Sequence, residues 1–479
     1  MDDAAAQGRE EMGKMKKTRK TTRPLFTRGH WVPLLGGIVL LFMGVFGLLR
    51  LYSLAPDACA SLTYAERRTM SLAVDPTIED FDHNFVERPV SLFGRVVTAD
   101  NKTIFDAVNL ENLGDSYASM GSLLGTYQAI EAEGTKYILN CYRDTIFPTV
   151  TWNSMSGVEE SNGSVNLTID TRLQNAVYEA MVERGVIGSI TVMDYDGDLL
   201  ALCSTPGWGC EGDGSFINRC LYPTVPGSTQ KLVTSLLLER LTDDAASRRF
   251  TCHGAYTLPN GQVIRCTGVH GENDLAGAIG KSCNAWFAQA VLELDKEKAK
   301  TALSLLGVGV NETPRLQLGN IPIDASSLVL SDELQFNFND LWCLIGQDKA
   351  MVSPIKMCEL LGTLATEGRG VRARLTFDDA PLETISYDDE MMAAFSRTYA
   401  SWQKGYERCY DKNLYGPYIT AAKTGTADGL PGNVTHKLLA CVSEPLHAVT
   451  YIVVENYAEC RVNPAELARE ALDTLAKLR

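Results

Sequence analysis

From Asp170 onward the apolar positions fall into regular rhythms, and the changes of rhythm mark out the elements. Leu173, Ala176, Val177, Ala180 and Met181 recur at the three-to-four spacing of one helix face. Asp170 stands where an N-cap belongs and Gly185 closes the run, so the pattern predicts a helix over Thr171–Arg184. The pattern then turns to strands. Ser189–Asp194 and Leu199–Cys203 flank Asp196-Gly197, a strong two-residue hairpin signal. Far downstream, Tyr418–Lys423, Lys437–Val442 and Ala448–Val454 read as three more strands. A final helix follows, with Asn463 as its cap and Pro464 in its first turn. One sheet assembled from both ends of this region, faced by the first and last helices, is the natural arrangement. Helical patterns at Ser228–Leu241 and Pro354–Glu367 lie between the two halves.

Upstream the pattern is weaker, with one exception. Residues 31–49 carry no charge, and at ~1.5 Å per residue they nearly span a ~30 Å hydrocarbon layer. Seven Lys and Arg residues between Lys14 and Arg28 precede the run, and Arg50 ends it. A cleaved signal peptide or a buried core helix would also fit an apolar run. Signal h-regions are shorter, however, and Pro33, Gly36 and Gly37 suit a membrane helix. The expected layout is a basic cytoplasmic tail over 1–30, a single-pass anchor over 31–49, an extracytoplasmic pedestal over 50–160 and a larger domain over 161–479. A turn-rich patch from Ser154 to Ser164 serves as the linker.

Charge and cysteine content narrow the function classes. A formal net charge of -15 argues against nucleic acid as a partner, because no basic surface is visible beyond the first thirty residues. The thirteen cysteines are an odd number and contain no C-x-x-C pair, so zinc-ribbon and thioredoxin readings lack support. No metal-ligand spacing is evident, and neither metal nor cofactor is expected. Cys252 with Cys266 and Cys210 with Cys220 are the nearest candidates for pairing outside the cell; the rival view is that many cysteines are small buried apolar residues.

The chemistry starts with "LAGAIGKSCNAWF" from Leu275, which invites two incompatible readings. A phosphate-binding loop needs glycine five residues before Gly280, and Leu275 stands there; no buried strand leads into it either. The alternative, a serine acyl-transfer site, needs partners elsewhere. Ser228 opens a helical pattern after Pro226-Gly227, with Lys231 three residues on and so on the same face. A serine hydroxyl is a poor nucleophile without an adjacent base, and a desolvated lysine amine can serve near neutral pH. Lys423-Thr424-Gly425-Thr426 ends a predicted strand. Its cation and hydroxyls suit a carboxylate, and Gly425 admits a close backbone approach.

S-x-x-K, then S-x-N, then K-T-G-T, in that order, is the constellation of penicillin-binding proteins and serine β-lactamases. "LTIDTRLQNAVYEAM" from Leu167, "INRCLYPTVPGSTQK" from Ile217, "HGENDLAGAIGKSCNAWF" from His270, "IGQDKAMVSPIKMCELLGTLATEGRG" from Ile345 and "AAKTGTAD" from Ala421 resemble the transpeptidase domain of class B penicillin-binding proteins from about Val165 to the C-terminus. "RPVSLFGRVVTADNKTIFDAVN" from Arg88 faintly resembles the first segment of that family's pedestal. The segment Thr205–Ser215 lacks the Asp-Pro-Asn usual before "INRC". The stretch after Ala427 lacks the family's aromatic-glycine signature, which leaves the cleft rim open.

The resemblance implies an α+β fold: an antiparallel five-stranded sheet flanked by helices, plus a helical subdomain. It implies Ser228 as acylated nucleophile, Lys231 as general base, Ser282 as proton relay, and Asn284 holding Lys231 and the substrate amide. Lys423 would supply positive potential, and Thr424, Gly425 and Thr426 would bind substrate, with the N–H groups of Ser228 and Thr426 forming an oxyanion hole. The implied activity is cross-linking of peptidoglycan stem peptides ending in D-Ala-D-Ala, inhibited by β-lactams, beside a multispanning glycan-strand polymerase. With roughly 110 residues over 50–160, no glycosyltransferase domain is expected. A β-lactamase, a D,D-carboxypeptidase and a non-catalytic β-lactam sensor or scaffold are the alternatives. Cys283 is expected to point into the helical subdomain, and His270 to be a packing or turn residue.

Overall fold

The computed structural model describes residues 37, 40–48, 94–107, 117–126, 135–147, 163–208, 215–378, 385–429 and 434–479. The elements that position the site are, in chain order, α1 (Thr171–Glu183), β1 (Ile187–Asp194), β2 (Leu199–Thr205), α2 (Lys231–Leu241), α3 (Leu275–Gly280), α4 (Asn284–Leu292), α5 (Pro354–Ala365), α6 (Asp389–Cys409), β3 (Ala421–Gly429), β4 (Val434–Ser443), β5 (Ala448–Glu455) and α7 (Pro464–Leu478).

The local signals act as the sequence predicts. Asp170 accepts from the Arg172 N–H as N-cap of α1, Gly197 takes a positive φ in the β1–β2 hairpin, and Asn463 caps α7 with Pro464 in its first turn. The strands form one antiparallel sheet in the order β3-β4-β5-β1-β2, so its two ends in sequence meet at its centre. Seven consecutive residues of β5, Ala448–Val454, are buried. Successive side chains point to opposite faces, so both faces of the sheet are covered. The covers are α1 and α7, which pack on each other and on the sheet, and α5, which packs on β1, β4 and β5. Beside the sheet, α2, α3 and α6 pack together as the helical part.

Two boundaries differ from the sequence reading. The helical stretch expected from Ser228 starts as a 3₁₀ turn, Gly227–Gln230, and becomes α-helical only at Lys231. Strand β3 does not end at Lys423: it runs from Ala421 to Gly429, with Lys423 opposite Ala440 and Thr426 opposite Lys437. K-T-G-T therefore lies within an edge strand. Its small and polar residues carry no alternating apolar pattern, and pairing with β4 is what extends them.

Of the region expected as a pedestal, Arg95–Val97 pairs antiparallel with Thr103–Asp106 and parallel with Val165–Asn166. The Asp100 carboxylate accepts from the Thr171 N–H (3.0 Å) and hydroxyl, which ties this ribbon to the start of α1. Of the expected anchor, 31–49, residues 31–36, 38, 39 and 49 lie outside the described residues, as does most of the linker, 154–164. Residues 40–48 are helical, with Leu40, Leu41 and Phe42 exposed. Among the described residues no helix is long and apolar enough to cross a membrane.

Candidate active site

Three segments distant in sequence converge on one hydroxyl cluster. Gly227 adopts φ +53, and a Cβ there would lie 2.5 Å from the Thr426 carbonyl oxygen; only glycine lets this turn rest on β3. The Thr229 hydroxyl donates to the Pro226 carbonyl (2.7 Å) and lies 3.1 Å from the Tyr451 hydroxyl, pinning the turn to β5. Ser228 is thus held half-buried at the edge of a cleft of about 1130 Å³ that Ser282, Asn284, Thr424 and Thr426 also line.

Lys231, three residues after Ser228, points back along the turn. Its Nζ is 2.5 Å from Ser228 Oγ and 3.4 Å from Ser282 Oγ. The side chain is fully buried, and desolvation lowers the amine pKa to about 7, although the neighbouring Cys266 and Cys283 act in the opposite sense. A neutral amine is therefore well populated at neutral pH. Lys423 reaches the same hydroxyl from β3, with its Nζ 3.1 Å from Ser282 Oγ and 2.6 Å from the Thr424 carbonyl. Burial, then repulsion from Lys231, pushes its amine well below the ordinary lysine range.

Ser282 itself sits at φ +57, a left-handed conformation that disfavours any side chain. The loop is held there by hydrogen bonds from the Ser282 N–H to Ile279 O (3.2 Å) and from the Cys283 N–H to Ala278 O (2.9 Å). Asn284 lines the same cleft, but its amide donates to the Arg265 carbonyl (2.8 Å). The amide is thus anchored to the β-ribbon beside the site, whereas the sequence reading aims it at Lys231.

On β3, Thr424 and Thr426 are exposed while Lys423 and Gly425 are buried, as a pleated strand requires. The Lys437 amine donates to Thr426 Oγ1 (2.9 Å), the Gln347 side-chain amide to Thr426 O (2.8 Å), and the Thr424 N–H to the Tyr410 hydroxyl (3.2 Å). The sequence reading assigned no role to Gln347, Tyr410 or Lys437. Nothing in their local pattern marks them: Gln347 and Tyr410 come from elements that cross the outer edge of β3, and Lys437 is set by its register opposite Thr426 on β4.

Compared with known families, residues 188–440 match the penicillin binding protein transpeptidase domain. The chain belongs to this family. It is a transpeptidase of the penicillin-binding type, as the order of the three motifs implies. Peptidoglycan D,D-transpeptidase PbpA of Mycolicibacterium smegmatis is 23% identical over 372 residues, spanning 66% of this chain and 72% of that protein. Among solved structures, PBPA from Mycobacterium tuberculosis matches with a TM-score of 0.66 at 16% identity, covering 80% of this chain and 99% of that one. PBP2 of Pseudomonas aeruginosa matches with a TM-score of 0.62 at 20% identity, covering 80% and 94%. At these identities the structural likeness carries the fold.

Within this penicillin-binding domain Cys252 and Cys266, one of the pairings considered, are free thiols. Among the described residues, Cys220 is fully buried, and its thiol donates to Cys203 O (3.3 Å); Cys210 lies outside the described residues. Cys283 points away from the catalytic cleft into the interior, as expected. There it meets Cys266, Sγ to Sγ 3.9 Å, and its hydrogen bond holds the Cys266 thiol well below the usual range. His270 turns its Nδ1 to within 3.7 Å of Cys252 Sγ.

Proposed function

We propose that this protein cross-links peptidoglycan stem peptides through an acyl-enzyme on Ser228. The observation that carries this reading is the buried Lys231 amine, with its pKa near 7, 2.5 Å from the Ser228 hydroxyl. Lys231 takes the hydroxyl proton as Ser228 Oγ attacks the carbonyl of the penultimate D-alanine. The N–H groups of Ser228 and Thr426 stabilise the resulting oxyanion. When the C–N bond breaks, the terminal D-alanine leaves as an amine, which takes its proton from the chain Lys231–Ser282. A second stem peptide's amine then attacks the ester and regenerates the Ser228 hydroxyl.

The donor adds as a strand along the outer edge of β3, taking over the Thr424 N–H and the Thr426 carbonyl from Tyr410 and Gln347, with its carboxylate near Thr424, Thr426 and Lys423. An arriving carboxylate favours the protonated Lys423, offsetting the burial that keeps its pKa low. Gly425 lacks the side chain that would push the nucleophile turn off the strand, and Asn284 steadies the substrate amide from the far wall.

β-Lactams are taken as donor mimics: a penicillin-binding protein A of Mycobacterium tuberculosis has been solved as its ceftriaxone acyl-enzyme. The uncharged run at 31–49 and the basic residues before it support a single-pass anchor with the catalytic domain outside the cell membrane. A multispanning glycan-strand polymerase is the partner suited to the anchor and the pedestal over 50–160.

The test is a time course with a fluorescent penicillin on the wild type and Ser228→Ala. An adduct stable for hours and absent from the variant supports the reading. An adduct lost within minutes means hydrolysis, as in a β-lactamase, and no adduct on folded wild type means a binding scaffold.

A further inference from the structure

Behind the Ser282–Asn284 segment, four side chains from four separate places in the chain bring their donor atoms together. Cys252 ends the strand Phe250–Cys252, Cys266 follows the strand Val263–Arg265, His270 precedes the strand Gly271–Asn273, and Cys283 joins α3 to α4. Their three sulfurs and one ring nitrogen all lie within 4.8 Å of one another. We infer that Cys252, Cys266, His270 and Cys283 form a tetrahedral zinc site that fixes the Ser282–Asn284 loop of the catalytic cleft.

The argument is geometric first. With Zn–S near 2.3 Å and Zn–N near 2.0–2.1 Å, a tetrahedral ion sets its ligands about 3.8 Å apart between sulfurs and about 3.6 Å between sulfur and nitrogen. The Cys266–Cys283 separation is 3.9 Å, and that of Cys252 and His270 Nδ1 is 3.7 Å. A disulfide would bring one pair of sulfurs to ~2.05 Å and strand the rest.

The surroundings suit thiolates. The Ala285 N–H points at Cys266 Sγ (3.1 Å) and the Gly254 N–H at Cys252 Sγ (3.4 Å); such backbone donors stabilise negative sulfur. Cys252 and Cys283 are fully buried, while Cys266 and His270 are partly open, giving an ion a way in. Three sulfurs and an imidazole, with no carboxylate among them, select zinc over calcium, magnesium or manganese. Binding exchanges each S–H for an S–Zn bond and releases the proton to solvent.

The link to the cleft is covalent and short. Cys283 lies between Ser282 and Asn284, and Cys266 follows Arg265, whose carbonyl receives the Asn284 amide. An ion gripping both cysteines holds the left-handed Ser282 and the anchored Asn284 against the same ribbon. The metal-binding part stands without the proposed function; its effect on acylation rests on that reading.

Full-length protein purified in detergent and reducing buffer is assayed for metal by plasma mass spectrometry, then stripped and reloaded with cobalt(II). About one zinc per chain is expected, with a thiolate-to-cobalt charge-transfer band and the intense visible bands of a tetrahedral ion. Cys266→Ser and His270→Ala should each lose most of the metal, and Ser228→Ala should retain it. Stripping should slow penicillin acylation on the order of tenfold, reversibly on adding zinc. Absence of both zinc and the cobalt spectrum from wild type overturns the site, independently of whether either variant folds. So does a disulfide among Cys252, Cys266 and Cys283 in peptide maps of unreduced protein. Acylation unchanged by stripping overturns the loop-fixing role, whereas metal binding without any acylation of Ser228 overturns the proposed function and leaves the metal site standing.

Discussion

The Lys231 amine lies 2.5 Å from the Ser228 hydroxyl, one short turn further along the chain, and has no contact with solvent. A base works only when unprotonated, so the burial that lowers this amine's pKa to about 7 sets a pH window. Above about 7 the free amine can take the serine proton; below it, that site is already filled. The acylation rate with a fluorescent penicillin should therefore fall about tenfold per pH unit below 7 and level off above it. A rate independent of pH from about 5 to about 8 would contradict this. Lys231→Arg, which stays charged, should be at least a hundredfold slower at every pH.

Gly227 and Gly185 both take positive φ, +53 and +63, but only Gly227 is crowded: its added Cβ would meet Thr426 O at 2.5 Å, whereas nothing lies within 4 Å at Gly185. Gly185→Ala should lower stability by about 1 kcal/mol from backbone strain and leave acylation intact. Gly227→Ala must also move Ser228 or the strand, so its acylation should drop by roughly two orders of magnitude. Thermal melts beside penicillin kinetics separate the two effects.

Ser282 pays for its position with a left-handed backbone. Ser282→Gly removes that strain together with the hydroxyl linking Lys231 to Lys423. The variant should melt no lower than wild type, gaining up to about 1 kcal/mol, while acylation slows by roughly a hundredfold or more. Ser282→Ala loses the same hydroxyl but keeps the left-handed backbone, so a Ser282→Ala melting as high as Ser282→Gly would show that the loop conformation is not strained.

Away from the site, Lys296 and Asp340 form a fully buried pair 2.7 Å apart. Lys296→Ala leaves a buried carboxylate uncompensated and should cost about 3–5 kcal/mol. Burial by itself would raise the Asp340 pKa, but hydrogen bonds from Lys296, Ser331 and Asn337 outweigh it, so the folded value is depressed. Its stabilising contribution is complete above the ordinary carboxylate pKa of about 3.9 and disappears as pH falls through the lower folded value. Unfolding midpoints of Lys296→Ala and wild type should therefore converge in strong acid.

The features legible in the chain alone are those whose physics is local. Asp170, Asn463-Pro464 and Asp196-Gly197 placed helix starts and a hairpin because caps and tight turns involve groups a few residues apart. The three-residue step from Ser228 to Lys231 likewise suffices to join nucleophile and base, and the order of the three motifs indicated the family. Tertiary structure decided what depends on partners far along the chain. K-T-G-T became the middle of a strand because β4 supplies hydrogen bonds that its polar residues do not advertise. Asn284 turned to Arg265 because a ribbon nineteen residues earlier passes beside it. Cys252, Cys266, His270 and Cys283 have no recognisable spacing; they share one small volume because two ribbons and the α3–α4 junction fold against one another. Side-chain chemistry can be read from a sequence, but the meeting of distant side chains follows from packing, which local pattern does not encode.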